Sequence, residues 1–327
     1  MAKYLCLMLI FLLLFENAAA AKMVETNKPY SYEQLSNDIV EIKNKYKDLV
    51  GVRSIGKSEL GREIWAAKLG KGDKTIVLIG SHHGREWMTT MLLMKMLETY
   101  AAAFEQQGKI GVKSTRILNE VSIWFIPMLN PDGVTIQQNI LGEFSLEHQK
   151  RLLKMNDGDR NFKRWKANGK GVDLNRQYPA DWNDLKLGPS EPYYKSYKGK
   201  KPLEAAEVLA LTRFIEEVSP SIAAAYHSAG REIFWNYKNG IFSLRDYLIA
   251  WKMARLTGYK LAMPDMEATG GGFTDWFITT YHRPALTIEI SYLVGETNPP
   301  LSVFKNEWNR NKYVGLMLAH EAEKILD

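Results

Sequence analysis

A strand that passes almost directly into a helix is the feature that most limits how this chain can fold. The apolar run Thr75 to Gly80 (TIVLIG) predicts a buried strand. Apolar side chains spaced for one buried face then predict a helix from Met88 to Tyr100. Only the polar segment Ser81 to Trp87 (SHHGREW) separates the two. This order is typical of α/β proteins, in which helices pack on a central sheet.

The same alternation continues along the chain. Helices are expected at 30–46 with Ser31 as the cap, 202–218, 244–257, 274–281 and 302–326, and strands at 50–55, 64–69, 121–127, 221–226 and 284–290. Residues 232–237 are expected to pair with the strand that ends before His227, residues 130–133 (NPDG) to form a turn, and residues 138–202 to form a long functional loop. The fold class is therefore α/β, a single domain with a mixed, largely parallel twisted sheet and helices on both faces.

Four polar residues stand at or near the predicted strand ends. His83 and Glu86 follow the first strand three residues apart, His227 follows the strand at 221–226, and Glu289 lies in the apolar segment TIEI. Ligands in such sheets bind beyond the carboxyl ends of the strands. Two His and one Glu with an open fourth position are the ligands of zinc hydrolases. Taken alone, His83 and Glu86 also fit a surface helix start, where the Glu favours the helix dipole.

Six motifs in order resemble the zinc metallocarboxypeptidase family from about Tyr30 to Leu326: HxxE at 83–86, NPDG at 130–133, DLNR at 173–176, HS at 227–228, GGFTDW at 271–276 and TIE at 287–289. Four segments are similar to the bacterial γ-D-glutamyl-diaminopimelate peptidase branch: HHGREWMTT, RWKAN, GVDLNRQYPADW and YHSAGREIFW. The resemblance implies a zinc carboxypeptidase-like fold with one Zn²⁺ per chain, held by His83, Glu86 and His227. It also implies that Glu289 is the general base.

The resemblance further implies a site for the substrate's free carboxylate at Asn175 and Arg176, with Arg85 as a secondary binding residue; a surface salt bridge is the alternative for Arg85. The family's oxyanion-stabilising arginine falls on Lys166, with Arg164 one residue before Trp165. Either cation could stabilise the developing charge.

Two positions bear on specificity. The tyrosine that gates substrate in digestive carboxypeptidases falls on Glu267, and the base of the specificity pocket falls on Thr274. Glu267 suits a substrate with a nearby amine, such as diaminopimelate.

The first 21 residues predict a secretory signal peptide, with Lys3, an apolar run from Tyr4 to Phe15 and four alanines at 18–21. An uncleaved membrane anchor is the alternative. Cleavage would leave residues 22–327 as the catalytic domain, without the only cysteine, Cys6. The segment carries one Lys and one Glu, so the net charge stays at +6. We expect attraction to an anionic cell wall and no membrane contact after cleavage. Export and the lack of a basic run with interleaved aromatics argue against nucleic acid.

These observations predict a secreted or cell-wall-associated zinc metallopeptidase that hydrolyses the γ-D-glutamyl–diaminopimelate bond of peptidoglycan stem peptides. One alternative is a metallocarboxypeptidase that removes C-terminal residues from ordinary peptides. An alternative of another class is an inactive wall-binding module. Such a module needs no general base, so the presence of Glu289 beside the three ligands argues against it.

Overall fold

An eight-stranded mixed sheet forms the centre of the molecule, seen here in a computed structural model that describes residues 23–186, 188–262 and 270–325. The strands are β1 Val50–Lys57, β2 Glu63–Leu69, β3 Lys74–Ile79, β4 Lys109–Ile110, β5 Lys113–Ser114, β6 Val121–Ile126, β7 Ile222–Ser228, β8 Glu232–Phe234, β9 Lys260–Leu261 and β10 Ala285–Ile290. The helices are α1 Tyr32–Lys45, α2 Met88–Glu105, α3 Pro131–Gln137, α4 Leu146–Met155, α5 Ala206–Val218, α6 Ser243–Thr257, α7 Phe273–Tyr281, α8 Phe304–Asn311 and α9 Val314–Lys324.

The sheet order brings the predicted site strands side by side. It runs β1-β2-β6-β3-β7-β10-β8-β9, while β4 and β5 form a separate small hairpin. The four central strands β6, β3, β7 and β10 are parallel, so their carboxyl ends meet at one edge. The pairs β1–β2, β2–β6 and β10–β8 are antiparallel. The expected mixed, largely parallel sheet is confirmed.

Period-two alternation in the central strands sends apolar side chains to both faces of the sheet. In β3, Ile76 and Leu78 join the cluster that contains α1, α2, α6, α8 and α9. Val77 and Ile79 join the opposite cluster, which contains α5 and α7. Strands buried on both faces need near-continuous apolar sequence, and TIVLI supplies it.

The long segment at 138–202 is more structured than the sequence suggested. It contains α4, which begins after the cap Ser145, and a third apolar cluster that includes Leu152 and Trp165. The helix was missed because its surroundings are polar and its apolar face is short. The cluster fixes the chain on both sides of Lys166, whose backbone N–H donates to Tyr194 O.

Three other local expectations were wrong. Residues 130–133 do not form an isolated turn, because the Asn130 side chain caps α3 by accepting from Gly133 N at 2.8 Å. Strand β8 pairs with β10 and β9 rather than with β7. The C-terminal helix is two helices, α8 and α9, separated at Lys312 and Tyr313.

Within the described ranges, no helix has the length and apolar character needed to cross a bilayer. The predicted signal peptide, residues 1–21, lies outside the described residues, so its prediction remains one from sequence.

Candidate metal centre and active site

The turn after β3 is built to bring His83 and Glu86 together. Ser81 has a left-handed backbone (φ 47°), and its N–H donates to Thr89 Oγ1 at 2.8 Å. Gly84 follows His83 and begins a short 3₁₀ helix that ends at Glu86. A Cβ atom at Gly84 would lie 2.3 Å from Gly133 O, so only glycine fits there without moving the backbone of α3. Close packing against α3 therefore fixes the position of both side chains.

Two imidazoles and one carboxylate meet at this edge of the sheet. His83 Nδ1 lies 2.8 Å from Glu86 Oε1, and His227 Nδ1 lies 2.9 Å from Glu86 Oε2. The two Nδ1 atoms are 3.1 Å apart, and all three residues are buried. His83, Glu86 and His227 are also the group of possible metal ligands found among the described residues.

The donor chemistry of the group fits a cation. The other ring nitrogen of His83, Nε2, lies 3.1 Å from Asp173 Oδ1, and donating to that carboxylate places the Nε2 proton there. In the neutral ring, Nδ1 then carries a lone pair and no proton, and it lies 2.8 Å from Glu86 Oε1. These two atoms are both acceptors, so they repel each other unless a cation binds both. Two imidazoles and a carboxylate are zinc ligands, so His83, Glu86 and His227 would hold one zinc ion at this position.

The charges of the neighbouring groups suit such a site. Burial raises the pKa of Glu86, but His83 and His227 outweigh it and hold the pKa well below the usual value. Burial likewise raises the pKa of Asp173, and Lys166 and His83 reverse it to well below the usual value. Burial lowers the pKa of His83, which favours the neutral imidazole that metals bind. Both carboxylates therefore stay charged.

Glu289 lies in the same cavity as the metal ligands. Its strand position is directly opposite His227 in the parallel pair β10–β7, and its side chain lines the cavity with Lys166. Burial raises the pKa of Glu289 to about 7, with Glu86 acting in the same direction and His227 and Lys166 opposing. A carboxylate with a pKa near 7 is suited to accept and return a proton at neutral pH.

The structure separates the two candidate oxyanion residues. Lys166 lines the cavity, with Nζ 3.3 Å from Asp173 Oδ2. Arg164 does not line it. Its guanidinium donates to Asn156 and to Asp157 Oδ2 at 2.8 Å and stacks on the Tyr194 ring at 3.9 Å. The structure therefore does not bring Arg164 to the site.

The candidate substrate-binding residues Arg85, Asn175, Arg176 and Thr274 all line the cavity, which has a volume of about 350 Å³. Arg176 Nη1 donates to Asn175 O at 2.8 Å, and Asn175 Oδ1 accepts from Phe273 N at 3.0 Å. The first bond lies within the 3₁₀ turn at 174–176, and the second joins that turn to the start of α7. Glu267 lies outside the described residues, so its predicted contact with an amine remains a prediction.

Sequence reasoning gave no role to several residues of the site. Thr287 lines the cavity and shares a 2.7 Å hydrogen bond with Thr274. It was detectable, because Thr287 and Glu289 are the two polar residues, two positions apart, in an otherwise apolar strand. Asp173 was quoted in its motif without a role, although it orients His83. Trp235 also lines the cavity, and it was quoted at the end of YHSAGREIFW without a role. Glu296, which lies 3.6 Å from Arg85, carried no usable sequence signal, since its neighbours come from distant segments.

Comparisons with known proteins agree with this geometry. The sequence profile described as zinc carboxypeptidase matches residues 35–313. The chain is 32% identical over 303 residues to gamma-D-glutamyl-L-diamino acid endopeptidase 1 of Lysinibacillus sphaericus, covering 91% of this chain and 74% of the relative. The solved structure of bovine thrombin-activatable fibrinolysis inhibitor aligns with TM-score 0.72 and 16% identity, over 92% of this chain and 99% of that one. Carboxypeptidase A from Helicoverpa armigera aligns with TM-score 0.70 and 20% identity, over 92% and 75%.

Proposed function

The chain belongs to the zinc carboxypeptidase family and is a metallopeptidase, and we propose that it hydrolyses the γ-D-glutamyl–diaminopimelate bond of peptidoglycan stem peptides. The relative from Lysinibacillus, which shares most of the chain, is named for a γ-D-glutamyl–diamino acid bond. That name supports the choice of bond over an ordinary C-terminal peptide bond.

The side chains of the cavity supply the steps of an amide hydrolysis. When bound, zinc supplies a Lewis acid that polarises the scissile carbonyl and acidifies the attacking water. Glu289 accepts a proton from that water as its oxygen adds to the carbonyl carbon, and it returns the proton to the leaving nitrogen as the C–N bond breaks. The Lys166 ammonium faces the same cavity and stabilises the negative charge that develops on the carbonyl oxygen.

The observation that carries the proposal is the set of three cations around one metal-ligand cluster. Arg85, Lys166 and Arg176 are the lysine and arginine residues among the described residues that line the cavity. Arg176 suits the terminal carboxylate of a peptide, because a guanidinium binds a carboxylate with two parallel hydrogen bonds. A stem peptide that ends in diaminopimelate carries several carboxylates and is therefore a better match than a peptide with one.

We also propose that the enzyme is exported and acts at the cell wall. The support is the sequence of residues 1–21, the lack of cysteine in residues 22–327 and the net charge of +6. Detection of the processed chain in culture medium or wall fractions, beginning near residue 22, tests this part of the proposal.

Mass spectrometry of the products tests the reaction. Zinc-loaded protein is incubated with L-Ala-γ-D-Glu-diaminopimelate, beside the Glu289→Gln variant. We expect release of L-Ala-D-Glu, slowed by about 10²- to 10⁴-fold in the variant, whose zinc content should equal that of the parent. Loss of C-terminal residues from ordinary peptides without cleavage of the stem peptide would move the enzyme to the plain carboxypeptidase function. Wall binding without any peptide release would support the inactive binding module instead.

A further inference from the structure

We propose that Arg85 binds the free α-carboxylate of the γ-linked D-glutamate and so selects γ-linked substrates over ordinary α-linked peptides. The inference rests on the proposed function. It names the residue that recognises the acid side of the substrate, which is the part that carries the scissile carbonyl.

Arg85 and Arg176 line the same cavity from different walls. The Arg85 guanidinium donates from Nη1 to Arg164 O at 3.3 Å and lies 3.6 Å from Glu296 Oε1. The wall that holds it is therefore formed by the segments around residues 164 and 296. Arg176 is held instead through Asn175 and the start of α7. One cavity thus presents two guanidinium groups to two separate parts of a bound substrate.

The wall around Arg85 has spare positive charge. Glu296 is shared: its Oε1 also pairs with Lys195, and its Oε2 accepts from the Tyr194 hydroxyl at 3.1 Å. Two cations therefore face one carboxylate, which leaves a net charge of +1. The separation of 3.6 Å between Arg85 and Glu296 is too long for a hydrogen bond. Among the described residues, Arg85 uses one donor bond, so its guanidinium can still bind a carboxylate in the forked geometry.

A γ-linked glutamate presents a carboxylate that an α-linked residue lacks. Its side-chain carbonyl forms the scissile amide, so its α-carboxylate remains free, three carbon atoms away on the acid side of the bond. An α-linked residue has its next peptide group on that side, and this group is neutral. The diaminopimelate part carries its own carboxylate on the amine side. The substrate therefore has one carboxylate on each side of the scissile bond, which matches two guanidinium groups on two walls.

Two substrates that differ by one charge test the assignment. L-Ala-γ-D-Glu-diaminopimelate is compared with its α-carboxamide form, L-Ala-γ-D-isoglutaminyl-diaminopimelate, and kcat/KM is measured for both. We expect the zinc-loaded parent to prefer the carboxylate form by about 10- to 100-fold, the usual effect of a charge-assisted hydrogen bond.

Arg85→Gln should lower kcat/KM on the carboxylate form by a similar factor and change it less than about 3-fold on the carboxamide form. Arg85→Lys should restore part of the preference, because it keeps the charge and loses the fork. Lys163→Gln is the matched control. It removes an exposed positive charge next to Arg164, in the segment to which Arg85 donates, but outside the catalytic cavity, and should keep the full preference.

Different results overturn the two proposals. If the parent cleaves both γ-linked substrates equally well, or if Arg85→Gln keeps the preference, the role of Arg85 is wrong while the proposed function stands. If the parent cleaves neither and instead trims ordinary peptides, the proposed function is wrong, and the inference falls with it.

Discussion

The metal centre and a second acidic cluster, at the start of α5, both bury carboxylates. In the metal centre, Glu86 and Asp173 contact imidazoles or Lys166, whereas the carboxylate at the start of α5 meets neutral donors. The pKa values of Glu86 and Asp173 lie well below the usual range. The α5 acidic cluster consists of Glu207, Asp132, Asn168 and Arg62. There burial raises the pKa of Glu207 to about 8, with the Asp132 charge adding to the effect.

The contacts of the α5 acidic cluster explain the difference. Glu207 has no exposed surface and accepts from Glu59 N at 3.2 Å and Asn168 Nδ2 at 3.1 Å, both neutral donors. The single cation, Arg62, is used by Asp132, to which it donates at 2.8 Å. Glu207 is therefore protonated at neutral pH. A buried carboxylate stays charged where cations or a metal meet it and takes up a proton where they do not. The two regions should thus respond oppositely to loss of a carboxylate.

The largest effect is expected from Glu86→Gln. The substitution removes the charged ligand and leaves two imidazoles, so zinc should be lost and kcat/KM should fall by about 10³-fold or more. Zinc content after dialysis against a chelator, followed by zinc readdition, measures this. The parent should recover its activity on readdition and the variant should not. A variant that kept one zinc per chain would contradict the assignment of Glu86 as a ligand.

A smaller effect is expected from Asp173→Asn. The amide keeps the shape of the side chain but removes the charge beside His83 Nε2 and Lys166 Nζ. Partners of this kind orient metal ligands, and their loss costs about 10- to 100-fold in metal affinity or activity. Zinc affinity, measured by competition with a chelating dye, separates this role from a purely structural one. Unchanged affinity with reduced thermal stability would show that Asp173 only holds the loop.

The sequence predicts the central parts of the molecule because they depend on short-range patterns. The apolar run of β3 fixes a buried strand, and the HxxE spacing places His83 and Glu86 on one turn. The α/β class, the parallel centre and the meeting of His227 and Glu289 at strand ends follow from the alternation of elements. In each case the chain segment carries its own physical signal.

The rest depends on contacts between distant segments. Nothing near Glu207 in sequence shows that Asp132 lies beside it, 75 positions away, or that Arg62 is already paired. The choice between Lys166 and Arg164 was open for the same reason, because the Tyr194 ring that holds Arg164 comes from a segment 30 positions further on. The break between α8 and α9 was missed because its residues carry no glycine or proline.

In the α5 acidic cluster, loss of the Glu207 carboxylate should stabilise the protein at neutral and higher pH and leave kcat/KM unchanged within about 2-fold. An unfolded glutamate loses its proton near pH 4.5, whereas folded Glu207 keeps it until about pH 8. Between these values the folded state binds more protons, so the free energy of unfolding falls as the pH rises. As far as Glu207 is concerned, the free energy of unfolding therefore has its full value below pH 4.5, falls as the pH rises from 4.5 to 8, and is lowest above pH 8.

Glu207→Gln removes this dependence. Relative to the parent, the variant should gain stability as the pH rises, from less than about 1 kcal/mol near pH 5 to about 5 kcal/mol above pH 8. Urea unfolding of both zinc-loaded proteins between pH 5 and 9 measures the difference. Glu216→Gln, an exposed change on the same helix, is the control and should show no such trend. A variant less stable than the parent at pH 9 would mean that Glu207 is charged and paired in the folded protein, and the contrast with the metal centre would be lost.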